Sequence, residues 1–224
     1  MKNPMMRCAV LIASCLFANG CSLLAATPDR SRFFTLTAPS EAQAHHAEVP
    51  GQGLEATPGI VYGLGPITLP AYLDRSEVAT RVSPSELTYS PTDLWAGPLT
   101  TNVSSVLLQN LFNLLEGHHI VAYPWDGSVK VDYQVAIRLL RFERNAEGES
   151  QLAASWAVKD VRNDREVLVK ETTFTRPGPP GDTPAAAAAL SATLGDLSHE
   201  IAAALRELPP PRRAPTPAPP KEGA

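Results

Sequence analysis

Cysteine is all but missing from this chain. The three present, Cys8, Cys15 and Cys21, fall within the first 21 of 224 residues. Everything after Cys21 is therefore without a disulfide, a cysteine-ligated metal or a cysteine nucleophile. Positive charge is also in short supply: 19 Lys+Arg stand against 23 Asp+Glu, a formal net charge of −4. A nucleic-acid binder needs a basic face to neutralise phosphates, so that class is excluded. No apolar run reaches the ~18 residues of a membrane-spanning helix. Catalytic motifs are lacking too. No serine sits in a G-x-S-x-G elbow. Gly63-Leu64-Gly65-Pro66 has no Lys-Ser/Thr after it, and Pro66 removes an N–H that a phosphate loop needs. His45-His46 and His118-His119 are adjacent pairs, which point to opposite faces of a strand and splay by about 100° on a helix. Neither pair aims two imidazoles at one ion. No catalytic residue, metal or cofactor is expected.

What is present begins with a targeting segment. Met1 to Arg7 carries Lys2 and Arg7 and no acid, and Cys8 to Ala18 is almost wholly apolar. A positive n-region followed by a short h-region is the pattern of a secretory signal peptide. Its helix would span about 16 Å, against the ~30 Å hydrocarbon core of a bilayer. Ala18-Asn19-Gly20-Cys21 resembles a bacterial lipobox, in which the cysteine is acylated and becomes the first residue. Residues 1–20 are then a signal peptide and Cys21 carries the lipid. Removing Lys2 and Arg7 makes the mature chain two charges more negative. Several acyl chains anchor stably where one does not, at about 0.8 kcal/mol per buried CH₂. Ser22 after the cysteine is not the Asp that retains bacterial lipoproteins at the inner membrane. By that rule the chain goes to the outer membrane, on its periplasmic face.

Residues 21–31 read as a tether. Arg32 to Thr37 is a first strand, rich in aromatic and β-branched residues. Residues 38–58 are a long loop. Ile60 to Leu69 is a second strand in which Pro66 cannot donate to a ladder, marking an edge or a bulge. Glu77–Val82 and Glu86–Tyr89 form a hairpin around Ser83-Pro84-Ser85. Leu99, Val103, Val106, Leu107, Asn110, Leu111 and Leu114 recur at helical spacing, with Gly117 as a stop. His119–Tyr123 is a short strand. Val129 to Leu140 alternates with period two, and strands at Gln151–Asp160 and Glu166–Thr175 complete an antiparallel meander. Asp182 or Thr183 caps a last helix whose stripe is Leu190, Leu194, Leu197, Ile201 and Leu205. Seven of residues 209–224 are proline, so 208–224 read as a disordered tail. The fold class is α+β: an antiparallel-rich sheet with two amphipathic helices packed on one face.

Glu143, Glu147 and Glu149 read as a solvated charge run. Trp156 reads as a core aromatic, and Trp95 and Trp125 as anchors that hold loops on the core. One segment stands apart. Gly65-Pro66-Ile67-Thr68-Leu69-Pro70-Ala71-Tyr72-Leu73-Asp74-Arg75 is stiffened by two prolines and ends in an aromatic–apolar pair followed by two charges. Rigid loops with aromatic tips beside Arg are common at interfaces. Pro66, Pro70, Tyr72, Leu73, Asp74 and Arg75 are therefore candidate partner contacts. The alternative is a packed connector in which Asp74 and Arg75 pair with each other.

That segment resembles the signature of the ABC-type transport auxiliary lipoproteins, the PqiC-like family. Phe33-Phe34-Thr35-Leu36-Thr37 resembles the family's first strand, and Trp95-Ala96-Gly97-Pro98-Leu99 its approach to the first helix. Tyr123-Pro124-Trp125, Val131-Asp132-Tyr133, Arg141-Phe142-Glu143 and Ala154-Ser155-Trp156 follow in the family's order. The resemblance covers about residues 32–207. It implies a non-catalytic docking lipoprotein of an MCE-type ABC transporter that moves phospholipids or other hydrophobic molecules between membranes. The implied partners are an MCE-domain protein of an inner-membrane permease and ATPase complex, or a second copy of the chain in a homo-oligomer. A different function, a periplasmic lipid carrier, would require an apolar pocket between helix and sheet.

Overall fold

The computed structural model describes residues 29–38, 59–116 and 118–210. The signal segment, Cys21, the 39–58 loop with His45 and His46, Gly117 and the tail beyond Pro210 lie outside the described residues. The chain divides into two units, Met1–Ser31 and Arg32–Ala224, and every element below belongs to the second.

Eight strands make one mixed, mostly antiparallel sheet: β1 (Arg32–Phe34), β2 (Val61–Thr68), β3 (Glu77–Ser83), β4 (Glu86–Trp95), β5 (His119–Ala122), β6 (Tyr133–Asn145), β7 (Ser150–Asp160) and β8 (Arg165–Arg176). Helices α1 (Leu99–Leu114) and α2 (Thr183–Arg206) complete the α+β domain. The meander β6–β7–β8 is antiparallel, as its alternation predicts. Its first strand starts at Tyr133 rather than Val129 and runs on to Asn145. Val131 and Asp132 stay buried all the same, because the loop before β6 folds back onto β2 through the Asp132 N–H to the Val61 carbonyl.

β6 is the spine. Its one edge pairs with β7 along its length. Its other edge is shared: β2 lies parallel to residues 133–138 and β3 parallel to residues 144–145. β5 extends the β2 branch, and β4 and β1 extend the β3 branch. The expected irregularity at Pro66 is a bulge, since β2 is flanked by β5 and β6 and is no edge.

The core lies between the sheet and the helices. Leu152, Ala154, Trp156 and Val158 point to one face of β7 and are 0–1% exposed. They meet the α2 stripe Leu190, Leu194, Leu197, Ile201 and Leu205, all buried, and the α1 stripe centred on Val103, Leu107 and Leu111. Each such leucine contributes about 1.5–3 kcal/mol on leaving water. Asp182 caps α2, its Oδ1 accepting from the Ala185 N–H at 2.9 Å, with Pro184 in the first turn.

Two buried aspartates fasten the ends of the sheet. Asp132 accepts from the Val61 N–H at 3.0 Å and from Arg162 Nε at 2.8 Å, tying the start of β2 to the β7–β8 turn. Asp93 on β4 accepts two bonds from the Arg32 guanidinium, each 2.8 Å, and one from the Thr183 hydroxyl at 2.5 Å. It thus joins β1, β4 and the first turn of α2. Burial pushes the Asp93 carboxyl up, but the Thr183 and Arg32 bonds outweigh it and hold it below the ordinary value.

The folded-state value therefore lies below the unfolded one of about 3.9. The stabilisation is complete above that value and is lost as the pH falls through the lower folded value. Urea midpoints should drop as the pH falls from about 5 towards 3, and Asp93→Asn should both lower the neutral-pH midpoint and flatten that slope. An unchanged slope in the variant would refute the role given to Asp93.

Candidate functional site

The segment from Gly65 to Arg75 sits where the sheet forks. After the bulge between Leu64 and Ile67, β2 makes its last pair at Thr68 with Arg138. β3 does not meet β6 until Arg144. Between those points β6 has its own bulge, at Leu139–Arg141, and no strand pairs with that edge. The connecting chain covers it. Pro70 starts one turn of 3-10 helix over Ala71–Leu73, closed by the Leu73 N–H to the Pro70 carbonyl at 2.9 Å. Leu73 turns inward and is 4% exposed. Tyr72 is half-buried, whereas Pro66, Ala71, Asp74 and Arg75 are exposed.

Glu143 holds this plug in place. It is 4% exposed, which corrects its reading as part of a solvated run; Glu147 and Glu149 are the exposed members. Its Oε1 accepts from Arg81 Nε at 2.7 Å. Its Oε2 accepts from the Tyr72 hydroxyl at 3.0 Å and from the Phe142 N–H at 2.9 Å. The side chain therefore supplies acceptors that a ladder strand would otherwise provide. Arg81 lies 5.7 Å from the Tyr72 ring centre and donates a further bond to the Pro84 carbonyl. Burial, and then the Glu143 charge beside it, push the Tyr72 hydroxyl above its ordinary pKa, keeping it a donor.

The outer end of the segment is braced separately. The Tyr89 hydroxyl donates to the Tyr72 carbonyl at 3.2 Å, and the Arg75 guanidinium stacks 4.3 Å from the Tyr89 ring centre. Arg75 pairs with Glu77 at 3.0 Å rather than with Asp74. Its hydrogen bond holds the Glu77 carboxyl at about 2. Pairing between Asp74 and Arg75, the connector alternative, is thus replaced by a pair one residue further on.

A second loop lies against β2. Tyr123 and Trp125 pack edge to face, ring centres 5.4 Å apart. A Cβ on Gly63 would stand 2.6 Å from the Trp125 ring, and one on Gly65 2.7 Å from Tyr123 Cβ. Both positions are glycine because the aromatic loop rests on bare backbone. Trp125 is the loop anchor its setting suggests, while Tyr123 remains 53% exposed beside Pro66. Trp156 and Trp95 are buried, in the core and under the β4 end. His118 packs edge-on against Tyr62, with ring centres 5.5 Å apart, and His119 is exposed at the start of β5. Among the described residues no three His, Cys, Asp or Glu side chains gather as metal ligands.

Sequence reasoning picked out the plug but not the groups that fix it. Arg81, Tyr89 and Glu143 come from three strands, and of these the sequence singles out only Glu143, as part of a charge run. A surface depression of about 390 Å³ opens beside the fork, lined by Arg81, Arg141, Glu143 and Arg144 among others. Another of about 500 Å³ lies at the C-terminal end of α1, lined by Glu116, His118 and Arg206 among others.

The chain matches the family described as ABC-type transport auxiliary lipoprotein component over residues 34–202, and it belongs to that family. Two solved structures share the fold. A crystal structure of an uncharacterized protein is 14% identical with a TM-score of 0.61, covering 78% of this chain and 98% of its own. A Xanthomonas campestris protein of the DUF330 family is 18% identical with a TM-score of 0.59, covering 77% and 93%. No curated protein matches the chain.

Removing one partner of the buried pair should cost more than removing both. Glu143→Ala leaves Arg81 uncompensated and should lower stability by about 3–5 kcal/mol, whereas Glu143→Leu combined with Arg81→Met should lose markedly less. Chemical denaturation at neutral pH measures both; equal losses would mean that the pair does not hold the plug.

Proposed function

We propose that this chain, as a member of the ABC-type transport auxiliary lipoproteins, is the outer-membrane docking component of a transporter carrying phospholipids or other hydrophobic molecules between the two membranes. Cys21 carries the acyl anchor, and the folded domain faces the periplasm. The partner is an MCE-domain protein belonging to an inner-membrane permease and ATPase complex. ATP is hydrolysed by that complex, and this chain performs no chemistry of its own.

The observation that carries this reading is the braced plug at the fork. A surface whose side chains are already fixed loses little conformational entropy on binding, so a small area can hold a partner. Pro66, Pro70, Asp74 and Arg75 are the direct contacts in this reading. Tyr72 and Leu73 are positioning residues: one is tied to Glu143, the other is in the core. The carrier alternative gains no support. The layer between helix and sheet is occupied by Trp156, Leu190, Leu194 and Leu197, all at most 2% exposed.

Full-length, C-terminally tagged protein captured from detergent-solubilised envelopes should bring down an MCE-domain protein with its permease and ATPase, identified by mass spectrometry. Arg75→Glu should reduce that recovery severalfold without changing the yield of the bait, and Cys21→Ser should move the bait out of the membrane fraction. Intact, membrane-bound bait with no MCE protein recovered would overturn the docking reading.

A further inference from the structure

The helices cover one face of the sheet, and the Tyr123–Trp125 loop lies on the open one. Tyr62 and Leu64 point into the core, so Gly63 and Gly65 face the open side, where the two rings rest. Pro124 between the rings and Pro66 beside them are exposed, as is Tyr123. The result is a short ridge of one exposed tyrosine, one half-buried tryptophan and two prolines. Asp126, next to Trp125, is exposed, and its carboxylate has no cationic partner among the described residues.

A proline-rich stretch of the chain starts close by. Beyond α2, Leu208 packs against the core and the Pro209 carbonyl accepts from the Tyr133 hydroxyl at 2.7 Å. Tyr133 is the ladder partner of Tyr62. Gly65 is three residues further along β2, about 10 Å. Residues 211–224 follow, five of them proline, with Arg212, Arg213 and Lys221 against the single acid Glu222. Proline holds φ near the polyproline II value before anything binds, and that helix advances about 3.1 Å per residue. Ten residues, Pro211 to Pro220, thus span about 31 Å. That length rounds the end of the sheet, from the helix side to the ridge. The chemistry fits as well as the reach. Aromatic grooves take up proline-rich segments because such segments have little conformational entropy left to lose. In Pro217-Ala218-Pro219-Pro220 the outer two prolines are three apart and share one edge of a three-residue turn. Lys221 follows them directly, a cation for Asp126.

We propose that residues 215–221 dock on the Tyr123–Trp125 ridge of their own chain, Pro217 and Pro220 against the rings and Lys221 toward Asp126. The ridge borders Pro66, so the docked segment covers ground next to the plug. The inference stands on the ridge and on the sequence beyond Pro210, and it is independent of the transport reading.

Trp125 reports occupancy, because Trp95 and Trp156 are buried. Acrylamide should quench the tryptophan fluorescence of the full chain weakly, and that of a chain ending at Pro210, which keeps the Tyr133 bond, severalfold more. A synthetic peptide of residues 211–224 added to the shortened chain should restore the protection, and the same peptide with alanine for every proline should not. Trapping checks the location. Gly127 and Gly97 both have open space where a side chain would stand, so a cysteine at either leaves the fold intact. With the three native cysteines changed to serine, Gly127→Cys with Ala218→Cys should form an intramolecular disulfide severalfold faster than Gly97→Cys with Ala218→Cys. Equal quenching with and without the segment, equal protection by the alanine peptide, or equal disulfide rates at the two glycines would each overturn the proposal.

Discussion

One strand carries two neighbours on a single edge, and the rest of the domain is arranged around that fact. β6 cannot pair with β2 and β3 at the same residues, so a stretch of its backbone is left between them. An unpaired, buried strand edge costs about as much as the hydrogen bonds it lacks. The fold answers with a carboxylate instead of a strand. Glu143 accepts from the buried amide of Phe142 and holds Tyr72 and Arg81 around the gap. A buried ion pair of this kind is weak evidence for stability in itself, since desolvation offsets most of its attraction. Its value here is geometric, because it fixes where the connecting segment lies.

The elements that depend on local pattern were readable. The apolar stripe of α2, the alternation of β7, the turns at Asn145–Gly148 and Asn163–Asp164, and the α2 cap all follow from spacing and propensity. What local pattern does not encode was not readable. Parallel pairing joins Tyr62 to Tyr133 and Phe33 to Leu94, residues far apart in sequence with no turn to announce them. Bulges shift a strand by one residue and reverse which side chains face inward. Glu143 reads as one of a charge run at a turn with Glu147 and Glu149, whereas it is covered by Tyr72 and Arg81, 71 and 62 residues away in sequence. The fastening roles of Asp93 and Asp132 were not readable because a single aspartate gives no hint that its partners lie 61 and 30 residues away.

In the segment from Gly65 to Arg75 a structural need and the proposed contact surface share residues. Its interior half, Tyr72 and Leu73, closes the fork. Its exterior half, Pro66, Asp74 and Arg75, is displayed as a result. Two glycines in β2 extend the arrangement by letting Tyr123 and Trp125 rest against the bare backbone beside it. The bulge of β6 against β7 turns Leu140 and Arg141 to the open face. A single irregular strand thus shapes two neighbouring surfaces.

The position of β6 in the chain also sets an order of events. β2 and β3 are made some 70 residues before the strand that joins them, and α1 must wait for the same platform. The β6–β7–β8 meander and α2, by contrast, are contiguous and complete one another locally. Nucleation is therefore favoured in the C-terminal half, with the earlier strands condensing onto it through high-contact-order pairings that close slowly. Until then the N-terminal half is a hairpin and a helix without a core, so the two halves do not separate into independently folding pieces. A truncation before Tyr133 removes the spine and leaves β2 and β3 with nothing to join.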